Sequence, residues 1–300
     1  MSMATAPHPL RSPLRSVVAD YVTLTKPRIM LLILITAYGA MAFAADGLPT
    51  ARLTVLTLFG LGLSSGGASA LNHVIDRDLD ARMRRTAGRP VASGRVSVDA
   101  ATGFGIGLIV ASTAVLAAYV NVLTAALALS GALFYVVVYT IWLKRRTPQN
   151  IVIGGAAGAV PPLVGWAAVT GHVGLAALFM FALVFYWTPP HFWALAILAK
   201  DDYAAAGVPM LPVVRGDHET ARQILLYTVL LVGLSLLPYL AQTFGLVYLL
   251  SAAALGGWFL LLAVRLLRDT SRANARGLFL YSLAYLALMF AAIGIDRINF

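Results

Sequence analysis

Residues 122–142 read VLTAALALSGALFYVVVYTIW, a run of 21 residues without a charged side chain. About 20 predominantly apolar residues in a helix span the hydrocarbon core of a bilayer, so this run predicts a transmembrane helix. Eight comparable runs flank it, each bounded by Gly, Pro or charged residues: 29–45, 51–72, 101–120, 150–170, 174–198, 223–242, 245–267 and 277–295. The sequence therefore predicts an all-α polytopic membrane protein with nine transmembrane helices.

The composition supports this prediction and excludes several classes of protein. Hydrophobic residues make up 60% of the 300 positions and charged residues 11%, whereas soluble domains carry about 25% charge. A separate soluble catalytic domain is excluded, and we predict one membrane domain over 26–300 after an N-terminal segment, 1–25. The absence of cysteine excludes disulfides, thiolate metal sites and a cysteine nucleophile.

The basic residues predict the orientation of the bundle, because Lys and Arg near span ends accumulate on the cytoplasmic side. With the N-terminus inside, 20 of the 22 basic residues fall on that side, including Arg11 and Arg15, and only Arg52 and Arg297 fall outside. We therefore expect a cytoplasmic N-terminus and an external C-terminus. The net charge of +10 orients the bundle and does not indicate a nucleic-acid partner.

The first apolar run has an alternative interpretation as a cleaved signal peptide. Ala42-Phe43-Ala44 before Ala45 resembles an A-x-A cleavage site. The long leading region and Pro27-Arg28 at the start of the run favour a first span instead. The composition of residues 1–20 also leaves a transit peptide open.

Eight of the twelve acidic residues lie in two predicted inside loops, 73–100 and 199–222. These loops follow the second and the sixth spans, which suggests two related helical units, each presenting an acidic loop to one face. They hold Asp76, Asp78, Asp80 and Asp99, and Asp201, Asp202, Asp217 and Glu219. We expect both loops to cap the same end of the bundle.

The first loop contains a spacing that suits a metal ion. If the second helix continues beyond the membrane, Asn72, Asp76 and Asp80 lie on one stripe, since residues four apart share a helix face. An oxygen-only stripe suits Mg²⁺, which commonly bridges carboxylates to substrate phosphates. Together with the nearby Arg and Lys side chains, it would form a receptor for a phosphorylated anion. The alternative is that these acids only balance neighbouring arginines at a solvated helix end.

Two other features are open to more than one interpretation. Asp201 and Asp202 are adjacent and cannot share a helical face, so one of them is expected to face the site. His191 lies in an apolar span beside Pro189-Pro190, where a polar side chain is costly and often functional; a structural role and an acceptor-binding role both fit. The aromatic residues near the inside span ends form an interfacial belt or, through their π faces, shield a carbocation.

The chain resembles a known family, the UbiA-type intramembrane prenyltransferases, and within it the branch that farnesylates haem. The stretches that carry the resemblance are LTKPRI (24–29), NHVIDRDLD (72–80), MRRTAGRP (83–90), LKRRTPQN (143–150), GGAAGAVPPLVGW (154–166), WTPPHFWALA (187–196), DDY (201–203) and AGVPMLP (206–212). The second loop departs from the D-x₃-D of many members, because Ala205 and Ala206 stand where a second aspartate would be.

The resemblance implies a nine-helix bundle with a central cavity that opens to lipid, in a bacterial inner membrane, with both acidic loops cytoplasmic. It also implies a reaction: Mg²⁺-dependent transfer of farnesyl from farnesyl diphosphate to a vinyl group of haem B, with addition of water. Haem O results, for terminal oxidase assembly, and a downstream haem-modifying or assembly protein would be a partner.

The resemblance also assigns roles to residues of this chain. The expected metal ligands are Asn72, Asp76, Asp80, and Asp201 or Asp202, and the expected catalytic set adds Lys200. Diphosphate neutralisation is expected of Arg28, Arg85, Arg89, Lys144 and Arg145. His191 is expected to contact the haem, as a ligand or as a partner of a propionate.

Two rival functions share some of these features. A prenyltransferase for a quinone precursor or a chlorophyll-type ring would carry similar acidic loops. A transporter or flippase for an anionic lipid also needs breaks and repeats within its helices, but it predicts ionisable residues deep in the spans. Here the spans hold almost none besides His191.

Overall fold

The computed structural model of the chain describes residues 14–298, and the side chains of 16–296. Arg11 and the side chains of Arg15 and Arg297, which the predicted orientation uses, lie outside this part. Within it, nine helices are long and apolar enough to cross a membrane, in agreement with the nine predicted spans.

The described residues form twelve α-helices and one π-helix. They are α1 Leu14–Leu24, α2 Pro27–Ala44, α3 Ala51–Ile75, α4 Arg77–Arg82, α5 Val98–Tyr119, α6 Val122–Leu133 with the π-helix Phe134–Leu143, α7 Asn150–Thr170, α8 Leu175–Leu198, α9 Lys200–Ala205, α10 Leu211–Leu240, α11 Leu246–Arg268 and α12 Arg272–Ile298. The nine spans are α2, α3, α5, α6 with the π-helix, α7, α8, α10, α11 and α12.

The spans form a closed ring in which each packs on its neighbours in chain order and α12 returns to α2. Two pairs, α2 with α7 and α8 with α12, also pack across the ring. The largest core cluster includes residues of α8, α10, α11 and α12, such as Trp193, Ile224, Phe259 and Tyr285. One end of the ring carries both acidic segments, residues 73–100 and 199–222.

The second acidic segment is more helical than the predicted loop 199–222. It contains α9, and α10 begins at Leu211, twelve residues before the predicted start of that span. At Gly216, which has φ 82° and ψ 170°, the helix breaks; a side chain would strain that left-handed backbone. Helix α10 packs on α9, and Asp217, directly after the break, pairs with Lys200 of α9.

The two acidic segments share one local architecture. Each follows a long span, α3 or α8, and each begins with a six-residue helix, α4 or α9, that carries two acidic residues in its first turn. This similarity agrees with the expectation of two related helical units.

Helix α1 lies in the predicted N-terminal segment, for which the sequence predicted no structure. Leu24 is fully buried in a small cluster with residues of α3 and the first acidic loop. Asp20 pairs with Arg95 at 3.0 Å, and Tyr21 makes an edge contact with Phe104. Helix α1 is thereby fixed to the acidic end of the bundle.

Candidate active site

The backbone keeps the three residues Asn72, Asp76 and Asp80 on the stripe that their spacing of four predicts. Helix α3 ends at Ile75, yet the Asp76 N–H donates to the Asn72 carbonyl at 2.9 Å and the Asp80 N–H to the Asp76 carbonyl at 2.8 Å. These i to i−4 bonds continue the helical path into α4. All three side chains are buried, with exposures of 3%, 0% and 2%. Burial of two carboxylates is costly unless each is paired, so their partners define the site.

Each of the three residues has its own cationic partner. Lys144 Nζ forms an ion pair with Asp76 Oδ2. Arg89 Nη1 lies 2.8 Å from both carboxylate oxygens of Asp80. Three separate segments therefore bring cations to the stripe: the end of the π-helix, the first acidic loop and, through Lys26, the start of α2.

Lys26 is the site residue that our sequence analysis missed. Its Nζ donates to Asn72 Oδ1 at 2.8 Å. Its backbone has φ 50° and ψ 61°, a left-handed conformation that is uncommon for a residue other than glycine. Burial, followed by the charges of Arg89 and Lys144, lowers the pKa of Lys26 to about 7. The available signal was the LTKPRI stretch, but we assigned its diphosphate role to Arg28.

The π-helix positions a second partner of Asn72. The Thr140 hydroxyl donates to the Tyr135 carbonyl at 2.9 Å, five residues back, and accepts from Asn72 Nδ2 at 3.1 Å. The other Asn72 Nδ2 proton goes to Asp76 Oδ2 at 2.8 Å. The amide orientation is thus fixed, with its oxygen directed at Lys26.

Two tyrosines of the π-helix stack beside the stripe. The rings of Tyr135 and Tyr139 lie 5.5 Å apart and nearly parallel. The Tyr139 ring packs against Gly154 of α7, where a Cβ would overlap the ring. Trp142, by contrast, is exposed, as an interfacial belt requires, whereas Trp187 and Trp193 are buried.

Arg145 and Asp78 form an outer pair next to the stripe. The two Arg145 Nη atoms donate to the Asp78 oxygens at 2.7 and 2.8 Å, and this bonding lowers the pKa of Asp78. Arg145 also donates to the Ile75 carbonyl at 2.8 Å and lies 3.9 Å from Asp76 Oδ1. The Arg145 guanidinium therefore lies beside the buried Asp76 carboxylate as well as bonding to Asp78.

The second acidic segment reaches the first through Asp202. Its Oδ2 accepts from the Arg85 backbone N–H at 3.3 Å, and its Oδ1 lies 3.9 Å from Arg84 Nε. Asp201 and the Arg85 side chain are exposed. Lys200 pairs with Asp217 at 3.0 Å. Of the two adjacent aspartates, Asp202 faces the first loop.

Arg28 is exposed on α2, and its side chain forms no hydrogen bond or ion pair with the residues that the structure describes. Across the same residues, no three His, Asp or Glu side chains lie close enough to form a metal site by themselves. The structure brings Asn72, Asp76, Asp80, Lys144 and Arg89 together. It places Asp202 against the Arg85 backbone of the first acidic loop and leaves Asp201 and Arg28 at the surface.

The site nevertheless holds oxygen atoms suited to a hard cation. Asp76 Oδ1 is buried and has no hydrogen-bond partner, which is unusual for a buried carboxylate oxygen. Asn72, four residues before Asp76 on the same stripe, contributes a side-chain amide oxygen, Oδ1. Carboxylate and amide oxygens are the ligands that Mg²⁺ prefers, so Asn72 and Asp76 fit this ion chemically.

His73 adjoins Asn72 and is buried, with 2% exposure, although neither ring nitrogen has a partner. The charges that act on it are those of Lys26, Arg89 and Lys144. Ser69, one turn earlier on α3, also has a buried hydroxyl without a partner. Unpaired polar atoms thus continue along α3 from the stripe toward the bundle.

His191 lies in α8 and faces α12. Its Nδ1 is 2.7 Å from Ser282 Oγ. Its ring stacks on Trp187 at 4.4 Å and on Phe279 at 4.9 Å between centroids, and Phe192 meets it edge-on at 5.0 Å. The side chain keeps 7% exposure, so the imidazole is clamped within an aromatic pocket.

The chain is similar in sequence to known proteins over most of its length. The protoheme IX farnesyltransferase of Gloeobacter violaceus is 54% identical over 93% of this chain and 92% of its own length. That of Symbiobacterium thermophilum is 53% identical over 93% of this chain and 94% of its own length. The relative from Roseiflexus sp. is 49% identical over 95% of this chain, which spans 53% of that protein.

Solved structures show the same fold at low sequence identity. A structure described as giving insight into the biosynthesis of digeranylgeranylglyceryl phosphate synthase in membranes has a TM-score of 0.78 at 19% identity, over 95% of this chain and 100% of that one. A UbiA homologue from Archaeoglobus fulgidus bound to DMAPP and Mg²⁺ has a TM-score of 0.68 at 18% identity, over 93% and 99%. The UbiA prenyltransferase family pattern matches residues 33–292, and the chain therefore belongs to the UbiA prenyltransferase family.

Proposed function

We propose that the protein transfers the farnesyl group of farnesyl diphosphate to a vinyl group of haem B, with addition of water, to give haem O for terminal oxidase assembly. The identity of 53–54% to protoheme IX farnesyltransferases, over more than nine-tenths of both chains, supports this reaction. At the site, the main supporting observation is that the buried carboxylates of Asp76 and Asp80 are paired with Lys144 and Arg89.

The paired charges suit an exchange of partners when a diphosphate enters. Lys144 and Arg89 neutralise Asp76 and Asp80 in the structure. A phosphorylated anion accompanied by a divalent cation would offer each group a new partner of opposite sign, so that the carboxylates turn to the metal and the cations to phosphate oxygens. Lys26 would then move from Asn72 Oδ1 to the diphosphate.

We assign Mg²⁺ to Asn72 and Asp76. Asp80, on the same stripe, and Asp202, which contacts the first acidic loop at Arg85, are the further carboxylates that we expect to take part. The complex of the A. fulgidus homologue with DMAPP and Mg²⁺ supports this assignment. When bound, the ion would stabilise the charge that develops on the departing diphosphate. Asp201 lies one residue away at the surface and is the less suitable of the adjacent pair.

The chemistry requires a stabilised leaving group and a dry path for a carbocation. Heterolysis of the allylic C–O bond leaves its electron pair on the diphosphate and an allylic cation on the farnesyl group. The vinyl π electrons form the new C–C bond, water adds to the cation left beside the pyrrole ring, and a proton is lost. Lys26, Arg89 and Lys144 stabilise the anion, and the faces of Tyr135 and Tyr139 can shield the cation.

The remaining cations fall into supporting roles. Arg145 and Lys200 each hold an aspartate at the rim, and Arg85 presents its backbone N–H to Asp202. Arg28 is placed outside this network, so we give Lys26 the role first expected of Arg28.

We further propose that His191 contacts the haem. Its imidazole is one of few ionisable groups within the spans, and an ionisable group at that depth is commonly functional. The membrane is the bacterial inner membrane, with the acidic end cytoplasmic, the N-terminus inside and the C-terminus outside. A haem-modifying or oxidase-assembly protein would receive the product, because a farnesylated haem is too apolar to leave the bilayer unaided.

The experiment is a product assay. Purified membranes receive farnesyl diphosphate and Mg²⁺ with either haem B or an aromatic acid, and products are identified by mass spectrometry. Formation of haem O is expected. Prenylation of the aromatic acid without haem O would instead favour the quinone-precursor rival, and no prenylated product together with movement of an anionic lipid would favour a transporter.

A further inference from the structure

The Ser282 hydroxyl joins His191 to the backbone of α12. Ser282 is fully buried; its Oγ lies 2.6 Å from the Phe279 carbonyl oxygen, to which it donates, and 2.7 Å from His191 Nδ1. A hydroxyl has one proton and two lone pairs. With its proton on the Phe279 carbonyl, Ser282 accepts from the imidazole, and the proton of neutral His191 is therefore assigned to Nδ1.

The opposite tautomer fits the surroundings poorly. It would place the proton on Nε2, for which the described residues provide no acceptor. It would also withdraw the Ser282 proton from the Phe279 carbonyl. The network thus favours one tautomer, with a lone pair on Nε2.

The orientation of the ring is fixed as well. Trp187 and Phe279 stack on its two faces, and Trp187 Nε1 donates to the Ser282 carbonyl at 2.7 Å. Ser282 therefore positions both the imidazole and one of the rings that clamp it. Rotation of His191 would break the bond to Oγ and both stacking contacts, so the direction of the Nε2 lone pair is set before any ligand binds.

We infer that Ser282 is a positioning residue that presents the Nε2 lone pair of His191 to the iron of the haem acceptor. Neutral imidazole is the commonest metal ligand in proteins, and the group that accepts from its other nitrogen fixes tautomer and orientation. The inference rests on the proposed function, because it takes haem as the acceptor.

The test uses the purified full-length protein in lipid nanodiscs loaded with ferrous haem B. Resonance Raman spectroscopy records the iron–histidine stretching band, whose frequency responds to hydrogen bonding at Nδ1, and titration gives the Kd for haem. We expect His191→Ala to lose the band. We expect Ser282→Ala to shift the band to lower frequency and to weaken haem binding by about 10–100-fold, while Ser282→Thr, which keeps the hydroxyl, retains the wild-type frequency.

A matched control separates positioning from packing. Ser235 is also a buried serine, and it donates to the Val232 carbonyl at 2.7 Å on α10. Ser235→Ala should leave the band unchanged. An unshifted band and an unchanged Kd in Ser282→Ala would overturn the inference.

A second experiment leaves Ser282 intact, in case its variants do not fold. In His191→Ala, free imidazole is expected to enter the vacated pocket and restore the iron–nitrogen band, because its N–H can be accepted by Ser282. 1-Methylimidazole, which lacks that N–H, should bind more weakly by a similar factor. Equal binding of the two would overturn the inference.

The outcomes also separate the inference from the proposed function. Wild-type protein that makes haem O but shows no iron–histidine band would overturn the inference alone. Wild-type protein that binds no haem and makes no haem O would overturn both.

Discussion

Lys26 Nζ lies 2.8 Å from Asn72 Oδ1, across 46 residues of sequence. The contact links the residue before α2 to the acidic end of α3, and Lys26, directly before Pro27, has a left-handed backbone. Strained conformations of this kind persist where the surrounding structure fixes them and cluster at functional sites. The contact therefore identifies Lys26 as part of the site.

The first prediction compares Lys26 with its exposed neighbour. Lys26→Met removes a charge-assisted bond and should raise KM for farnesyl diphosphate by about 10–100-fold, since such bonds contribute about 1.5–3 kcal/mol. Arg28→Met should change KM by less than about 2-fold, because surface substitutions have small effects. Steady-state kinetics on both variants decide the matter; a larger effect at Arg28 would contradict our reassignment.

The second prediction concerns the buried carboxylate. Asp76→Asn removes the charge but keeps the shape, and turnover should fall by at least about 100-fold, the loss typical of removing one electrostatic stabiliser. Asp78→Asn is the matched control, since its side chain is about half exposed and pairs only with Arg145. Size-exclusion profiles show whether both variants remain folded, because Lys144 loses its partner in the first. Full turnover by Asp76→Asn would refute the metal assignment.

Metal removal gives the third prediction. Chelation with EDTA should abolish farnesyl transfer, and added Mg²⁺ should restore it, because the buried Asp76 Oδ1 accepts no hydrogen bond from the described residues and is available to the ion. The rate is measured against free Mg²⁺ concentration for the wild type and for Asn72→Ala. The variant should need more Mg²⁺ for half-maximal rate; identical curves would remove Asn72 from the ligand set.

The fourth prediction separates the adjacent aspartates. Asp202→Asn keeps an oxygen acceptor for the Arg85 N–H but removes the charge. It should lower kcat/KM for farnesyl diphosphate by about 10-fold, because a neutral hydrogen bond is weaker than a charged one by about 1 kcal/mol or more. Asp201→Asn should have little effect, since its side chain is exposed. The reverse order would place the metal at Asp201.

The fifth prediction uses two glycines of α7. Gly154→Ala would press a methyl group into the Tyr139 ring, whereas a Cβ added at Gly158 would meet no atom within 4 Å. Overpacking costs about 1–3 kcal/mol, so Gly154→Ala should lower the thermal midpoint in detergent and reduce turnover through Tyr139. Gly158→Ala should match the wild type in both measurements.

Much of the fold was predictable because a bilayer permits few solutions. Apolar run length alone gave nine spans, since each needs about 20 residues in a helix. The start of α10 was missed because Arg215, Asp217 and Glu219 are typical of a loop, although tertiary contacts hold them in helical turns. Nothing in the run FYVVVYTIWL distinguishes a π-helix from an α-helix, because both have the same composition.

The candidate site was predictable where spacing determines geometry. Asn72, Asp76 and Asp80 share a stripe because they are four residues apart. For Asp201 and Asp202 the sequence predicted that one of the two would face the site, but it could not say which. The partner of each acid depends on long-range contacts: Lys144 is 68 residues from Asp76, and no local pattern assigns it. Lys26 was missed for the same reason, since its contact with Asn72 arises from the packing of α2 against α3.

The π-helix has a consequence for how this segment tolerates change. Its wide turns place Thr140 opposite Asn72 and deliver Lys144 to Asp76 from a single ten-residue stretch. Each residue added to or removed from a helix rotates everything beyond it by about 100°. Substitutions on the lipid-facing side of residues 134–143 do not change the direction in which later side chains point. An insertion or deletion of one residue, by contrast, would turn Lys144 away from the carboxylate of Asp76. The length of this stretch is therefore constrained more tightly than its composition.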